Sequence, residues 1–237
     1  MDTRSEHANL RYELKLASDE AGYPELKMAL RLHRAGIRTL YPTRVVQSLY
    51  LDTTYGRALQ ENLGGISERE KIRLRWYGDE SRTVAGVLER KGRVNSLGWK
   101  EVLPLPAKLA LAGQERRRFV RELARLTDAR WRAHLATLEP VQWVRYRREY
   151  LTSADLRVRL TLDRELFFSD QRPLARISDA ERAPRPRLLV LELKCGPEDL
   201  DGARTILEDL PVPLGRCSKF ALASAPESGA IPSAFEV

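Results

Sequence analysis

A ladder of cations at two-residue spacing, Lys71-Ile72-Arg73-Leu74-Arg75-Trp76-Tyr77, is the segment most suggestive of chemistry. Alternate residues of a β-strand face opposite sides of a sheet, so Lys71, Arg73 and Arg75 share one face and Ile72, Leu74 and Trp76 the other. Acidic residues recur beside cations at the same step, at Glu13/Lys15, Glu89/Lys91 and Glu192/Lys194. Arg157, Arg159, Thr161 and Asp163 form a further single-face series. A crowded basic face repels itself unless solvent or a bound anion compensates it. A phosphate chain does so, and arginine binds phosphate oxygens through paired donors. The carboxylates need a separate reason. Mg²⁺ or Mn²⁺ supplies one, because these ions take hard oxygen ligands and bridge to phosphate. Glu13, Glu89, Asp163 and Glu192 are therefore candidate metal ligands. Their alternative role is to neutralise neighbouring cations as internal ion pairs. The wet face of an ordinary antiparallel sheet also alternates charged and apolar residues. The joint pattern goes further, because Arg and Lys dominate it and acids recur beside them.

The elements that would position these residues are mostly strands. Leu10–Leu16 reads as a first strand, with Arg11, Glu13 and Lys15 on one face. A helix follows from Pro24 to Ala35, with Pro24 in its first turn and Gly36 at its stop. Arg44–Asp52 is a strand with Ser48, Tyr50 and Asp52 on one side, and a turn or short helix spans Thr54–Asn62. Glu68–Tyr77 is the ladder strand, Val84–Lys91 its hairpin partner and Trp99–Leu103 a further strand. Gly113–Leu138 is helical, with an apolar stripe of Phe119, Val120, Leu123 and Leu126 continued by Trp131 and Leu135. The run Arg116-Arg117-Arg118 with Arg121 falls off that stripe, as a solvated face or a guide for a polyanion. Gln142–Leu151, Leu156–Glu165 and Leu188–Lys194 are strands, Gln171–Arg187 a loop and Asp199–Leu210 a short helix. Cys217–Ala223 reads as a last strand or helical turn. There is no βαβ rhythm, so the expected class is α+β: an antiparallel barrel with helices packed outside. One domain is expected over residues 1–224, with a flexible tail over 225–237.

Composition narrows the partners. The chain has 237 residues and a net charge of +8, which favours anionic partners. Neither cysteine, Cys195 or Cys217, sits in a CxxC or zinc spacing, and the three histidines lie far apart. No P-loop follows Gly64-Gly65, and kinase signatures are missing. No run approaches the ~20 apolar residues of a membrane span, and the N-terminus lacks a signal-peptide core. A cytoplasmic protein is expected, peripheral to a membrane only through a partner. Nucleic acid is disfavoured because Trp76 falls on the face opposite the ladder, whereas single-strand binding needs exposed aromatics beside cations.

Eight segments, RYELK, SLYLDT, KIRLRWYG, LERKGR, YRREYL, RVRLTLD, LELK and SKFALA, resemble in order the VTC (vacuolar transporter chaperone) polyphosphate-polymerase domain. That family belongs to the triphosphate tunnel metalloenzymes, with the CYTH-type cyclases and triphosphatases. The resemblance implies an eight-stranded antiparallel tunnel holding a triphosphate. A carboxylate-held divalent metal would activate it, and the terminal phosphoryl of ATP would pass to a polyphosphate that leaves through the tunnel. Arg11, Lys15, Arg73, Arg75, Lys91, Arg148, Arg159 and Lys219 would contact phosphates, joined by Lys71 from the ladder. Tyr146 would line the wall, and Lys194 would bind phosphate or pair with a carboxylate. Glu192 is the first choice of metal ligand, and Glu13 and Glu89 are the second. Hydrolytic and cyclase members begin Glu-x-Glu-x-Lys, and Arg11 replaces the first of those acids here. That favours polymerase over hydrolase. The alternatives are a triphosphatase or polyphosphatase in the same tunnel, and a non-catalytic binding subunit beside a separate membrane protein.

Overall fold

The computed structural model describes residues 12–94, 97–181 and 185–211. Within them, two-residue alternation produces an eight-stranded, wholly antiparallel sheet. In chain order the elements are β1 (Tyr12–Asp19), α1 (Tyr23–Leu32), β2 (Arg38–Thr53), α2 (Arg57–Leu63), β3 (Glu68–Tyr77), β4 (Thr83–Val84), β5 (Val87–Val94) and β6 (Leu97–Pro104). They continue as β7 (Leu109–Ala110), α3 (Arg116–Arg125), α4 (Ala129–Leu135), β8 (Leu138–Thr152), β9 (Arg159–Asp170), β10 (Leu188–Cys195) and α5 (Leu200–Glu208). The sheet order is β1-β10-β9-β8-β2-β3-β5-β6, and β4 pairs with β7 apart from it. This is the expected α+β architecture. Its sheet is a curled half-barrel, because among the described residues β1 and β6 are edges and do not pair with each other.

The convex face carries the main cores. Leu49, Ile72, Leu74, Trp76, Leu88, Trp143 and Phe167 project from β2, β3, β5, β8 and β9 onto Phe119, Leu123, Trp131 and Leu135 of α3 and α4. Each fully buried large apolar side chain stabilises the fold by about 1.5–3 kcal/mol. Trp76 and Trp143 meet edge to face at 5.2 Å. The Trp143 indole donates to buried Gln47 at 3.0 Å, and Gln47 donates at 2.7 Å to the Gly78 carbonyl after β3. A second convex core joins Leu26 and Leu30 of α1 and Ile206 and Leu207 of α5 to Leu160, Leu191 and Leu193.

Several boundaries differ from the expectations. β2 begins at Arg38, because Pro42 falls where the register with β8 slips between Tyr41 and Arg44 and needs no ladder donor. The segment expected as one strand over Val84–Lys91 is split at Gly86. A Cβ there would lie 2.7 Å from Leu74 Cδ1 and 3.1 Å from the Arg75 carbonyl oxygen, so a larger residue would force a neighbour to shift. The single helix expected over Gly113–Leu138 breaks in two, with the Asp128 side chain accepting from Trp131 N to start α4. β9 starts at Arg159 rather than Leu156, which has φ 66° in the preceding turn. Arg157 accordingly leaves its expected face and pairs with Asp199 at 3.5 Å. The basic run on α3 is locally neutralised: Arg116 and Arg117 pair with Glu139, Arg118 with Glu122 and Arg121 with Glu115. Arg11, Lys219, the segment Cys217–Ala223 and the tail over 225–237 lie outside the described residues.

Candidate functional site

Register gathers the predicted cations and carboxylates on the concave face. Lys15 stands opposite Glu192, and Glu13 opposite Lys194. Glu192 faces Thr161, Lys194 faces Arg159 and Val190 faces Asp163. Asp163 faces Arg148, Ser48 faces Arg75 and Tyr50 faces Arg73. Arg73 faces Glu89, Lys71 faces Lys91, and Lys91 faces Lys100. With Val46 facing Tyr146 across β2 and β8, these pairs form one continuous face across all eight strands. The sheet curls far enough for its two halves to sense each other. Lys91 on β5 is acted on by the Lys194 charge on β10, and Lys71 on β3 by Lys15 on β1. In each case four strands lie between the partners in the sheet order.

The four candidate carboxylates fall into three settings. Glu89, buried, accepts from Arg73 Nε at 2.8 Å and Nη2 at 2.6 Å, while Lys100 Nζ stands 2.7 Å from its other oxygen. These cations hold the Glu89 carboxyl far below the usual range against the opposing effect of burial. Asp163, fully buried, accepts two 2.6 Å bonds from Arg148, one on each oxygen. Glu192 and Glu13 share two lysines: Lys15 lies 3.8 and 3.5 Å from them, and Lys194 3.6 and 3.3 Å. Among the described residues no group of three or more His, Cys, Asp or Glu side chains converges on one point.

Three side chains joined to this face had no role in the sequence-based scheme. Lys100 pairs with Glu89, and its alternation with Leu103, which packs on the convex core, is the available signal. Tyr50 was assigned to the face of Ser48 but to no function. Its phenol accepts from Arg73 Nη1 at 2.9 Å. Burial opposes its ionisation, but Arg73, Lys71 and Arg75 outweigh that and bring its pKa down to about 8. Arg44, opposite Arg148 in register, carried no acidic neighbour to mark it. Tyr146, expected on the wall, is buried there and accepts from Arg75 Nη2 at 3.3 Å.

On β2, β8 and β10 the face is apolar toward the α2 end and polar toward the other, whereas β3 and β5 carry Lys71 and Lys91 at the α2 end. Val46, Tyr50, Val144, Tyr146, Leu188 and Val190 cluster with Ala58 and Leu59 of α2. Asp52 fixes that helix, accepting from the backbone N–H of Ala58 at 2.9 Å and of Leu59 at 3.1 Å. Along β10 the sequence then runs from Leu188 and Val190 to Glu192 and Lys194, and along β8 from Val144 and Tyr146 to Arg148 and Tyr150.

The VTC domain family model matches residues 10–226. The chain belongs to the VTC domain family. Membership supports a polyphosphate- or nucleotide-related function for the chain. Similar solved structures include the PH1819 protein from Pyrococcus horikoshii OT3, at 13% identity and a TM-score of 0.45, with 90% of this chain and 94% of that one covered. Another is a Vibrio parahaemolyticus protein provisionally named an adenylate cyclase, at 11% identity and a TM-score of 0.49, covering 92% and 99%. No curated protein matches the chain. Among the described residues of this VTC-family chain, no helix is long and apolar enough to cross a membrane.

Lys91 gives the VTC face a pH signature. Burial, reinforced by Arg73, Arg75 and Lys194, pushes its pKa down to about 6. A bound anion raises it, so the gain from a charged Lys91 is fully present below the ligand-free pKa. It is lost as pH rises through the ligand-bound pKa. Near pH 7, then, binding of a polyanion such as tripolyphosphate beside Lys91 should take up a proton there, while Tyr50 stays mostly protonated. Calorimetry in buffers of different ionisation enthalpy should register that uptake in the wild type and its loss in Lys91→Met. Equal proton counts in both proteins would remove Lys91 as the titrating group.

Proposed function

We propose that the chain is a metal-dependent polyphosphate polymerase that transfers the terminal phosphoryl group of ATP to a growing polyphosphate. The observation that carries this reading is the continuous concave face on which Lys15, Lys71, Arg73, Arg75, Lys91, Arg148 and Lys194 outnumber the carboxylates among them. Family membership over residues 10–226 supports it. Arg159, exposed at the polar end, would receive an incoming anion. Arg11 and Lys219 keep their proposed phosphate roles.

Phosphoryl transfer demands positioning and charge neutralisation more than covalent help. The bond from the γ-phosphorus to its bridging oxygen breaks and ADP departs with that electron pair. A terminal oxygen of the polyphosphate forms the new bond. That oxygen is already ionised, so no general base is required. Arg73 and Arg75 would hold non-bridging oxygens on one wall, and Arg148 with Lys15 and Lys194 on the other. Tyr50 and Tyr146 orient the first pair through their hydroxyls.

Glu192 and Glu13 fit a divalent ion better than Glu89 or Asp163. They are adjacent hard-oxygen donors held by two shared lysines, and the Glu13 side chain is 41% exposed. Mg²⁺-type sites commonly use one or two carboxylates and complete their shell with substrate phosphate and water. Mg²⁺ or Mn²⁺ held there would neutralise charge developing on the transferred group. Asp163 and Glu89 already satisfy guanidinium groups and serve here as ion-pair partners. Glu192→Ala should lower turnover by about 10²-fold or more while leaving tripolyphosphate affinity within a few-fold. Full turnover in that variant would remove Glu192 from the metal site.

A second reading, hydrolysis of triphosphate or polyphosphate, is favoured by the apolar cluster under α2, which narrows the polar path for a growing chain at that end to the Lys71 side. Purified protein with ATP and Mn²⁺ or Mg²⁺ separates the two. Polymer with ADP establishes synthesis, and free phosphate without polymer establishes hydrolysis. Neither product, with tripolyphosphate bound, indicates a binding subunit.

A further inference from the structure

The polar end of the concave face is ringed by tyrosines and a guanidinium. Tyr41 and Tyr150, paired in register across β2 and β8, meet edge to face at 5.9 Å. The Arg44 guanidinium lies 5.7 Å from the centre of the Tyr77 ring. Electrostatics ties these pairs into one cluster, because the Tyr150 phenol responds to Arg148, Tyr77, Tyr146 and Arg44 together. Tyr41 and Tyr77 are 53% and 52% exposed, so both rings present area to solvent beside the cations. Depth changes along the strands: Tyr41 and Arg44 are exposed, Tyr150 is half-buried, and Arg148 and Tyr146 are buried. The aromatic rim thus stands directly above the cations proposed to hold phosphates.

We infer that this rim is a nucleobase subsite, in which the planar base of a nucleoside triphosphate stacks on Tyr41 or Tyr77 while its phosphates descend to Arg148, Arg73 and Arg75. Base stacking on an aromatic ring is favourable for every base because each has a π-face. Arg44, over Tyr77, adds a cation beside the stack and a donor for the ribose or the α-phosphate. The inference rests on the phosphate role proposed for the cations below and names what they lack, a way to distinguish a nucleotide from bare polyphosphate. It also assigns a purpose to rings that a polyphosphate, which has no π-face, would leave uncovered.

Calorimetry with two probes, ATP and inorganic tripolyphosphate, tests it on the full chain. The wild type should bind both. Tyr41→Ala combined with Tyr77→Ala should weaken ATP by about 10-fold or more and leave tripolyphosphate within about two-fold, inside the scatter of a contact that is not made. Tyr41→Phe with Tyr77→Phe should restore ATP binding, because it keeps the rings and removes only the hydroxyls. Unchanged ATP binding in the alanine variant would overturn the subsite. So would equal weakening of both probes, which would mark a general disturbance of the face. Failure of the wild type to bind tripolyphosphate would overturn the phosphate reading itself, and the subsite with it.

Discussion

Removing both arginines of the ladder should lower affinity for tripolyphosphate by about 10²- to 10⁴-fold. Hydrogen bonds to charged groups contribute about 1.5–3 kcal/mol each, and two such groups are lost in the Arg73→Ala, Arg75→Ala variant. At about 1.4 kcal/mol per factor of ten, the stated range follows. The fold should persist. Glu89, which would otherwise be left buried without a cation, keeps Lys100 at 2.7 Å. The apolar side of the same strand, Ile72, Leu74 and Trp76, is untouched. Tyr50 should lose its depressed pKa as well, since Arg73 and Arg75 are among the charges that lower it. Calorimetry checks the affinity, and the ultraviolet absorbance of the phenolate checks the tyrosine. A variant with wild-type affinity would show that the ladder serves structure alone.

The ladder was legible because one of its faces is fully buried. Where Ile72, Leu74 and Trp76 must enter a core, a one-residue slip is forbidden, and period-two spacing becomes a reliable guide. The same reasoning recovered Glu13 with Lys15, Glu192 with Lys194, and Tyr146 with Arg148 on one concave surface. It failed where registers break. The irregularity between Tyr41 and Arg44 sets which aromatic ring meets Tyr150, and no spacing rule reports it. The split at Gly86 depends on a contact with Leu74 from another strand. Partner choice was also hidden. Glu89 and Asp163 looked equivalent to Glu192 as single-strand acids. Only cross-strand neighbours show that Arg73 with Lys100 and Arg148 occupy the first two, while Glu192 and Glu13 share lysines. The break before α4, by contrast, was signalled locally. Asp128 is a good N-cap residue, but the continuing apolar stripe masked it.

That difference between acids gives the second large effect. Asp163→Ala should destabilise the fold by about 3–5 kcal/mol, the usual result of leaving one member of a buried ion pair without its partner. A domain of this kind has about 5–15 kcal/mol in total. Asp163 is fully buried and receives both Arg148 bonds at 2.6 Å, whereas Glu192 lies 3.5 Å from the same guanidinium and is a weaker substitute. Replacing both partners with apolar residues, as Arg148→Met with Asp163→Leu, should recover most of the stability, because no charge is then stranded. Phosphate binding should not recover with it. The pair would thus be kept for aiming a cation at an anion rather than for holding the barrel together. Tripolyphosphate should also raise the melting temperature of Asp163→Ala by more than that of the wild type, since the ligand supplies the missing negative charge to Arg148. Thermal melts of the three proteins with and without tripolyphosphate decide the matter. An Asp163→Ala variant that melts with the wild type would show that Arg148 finds full compensation elsewhere, and a double variant that still binds tripolyphosphate normally would take Arg148 out of the site.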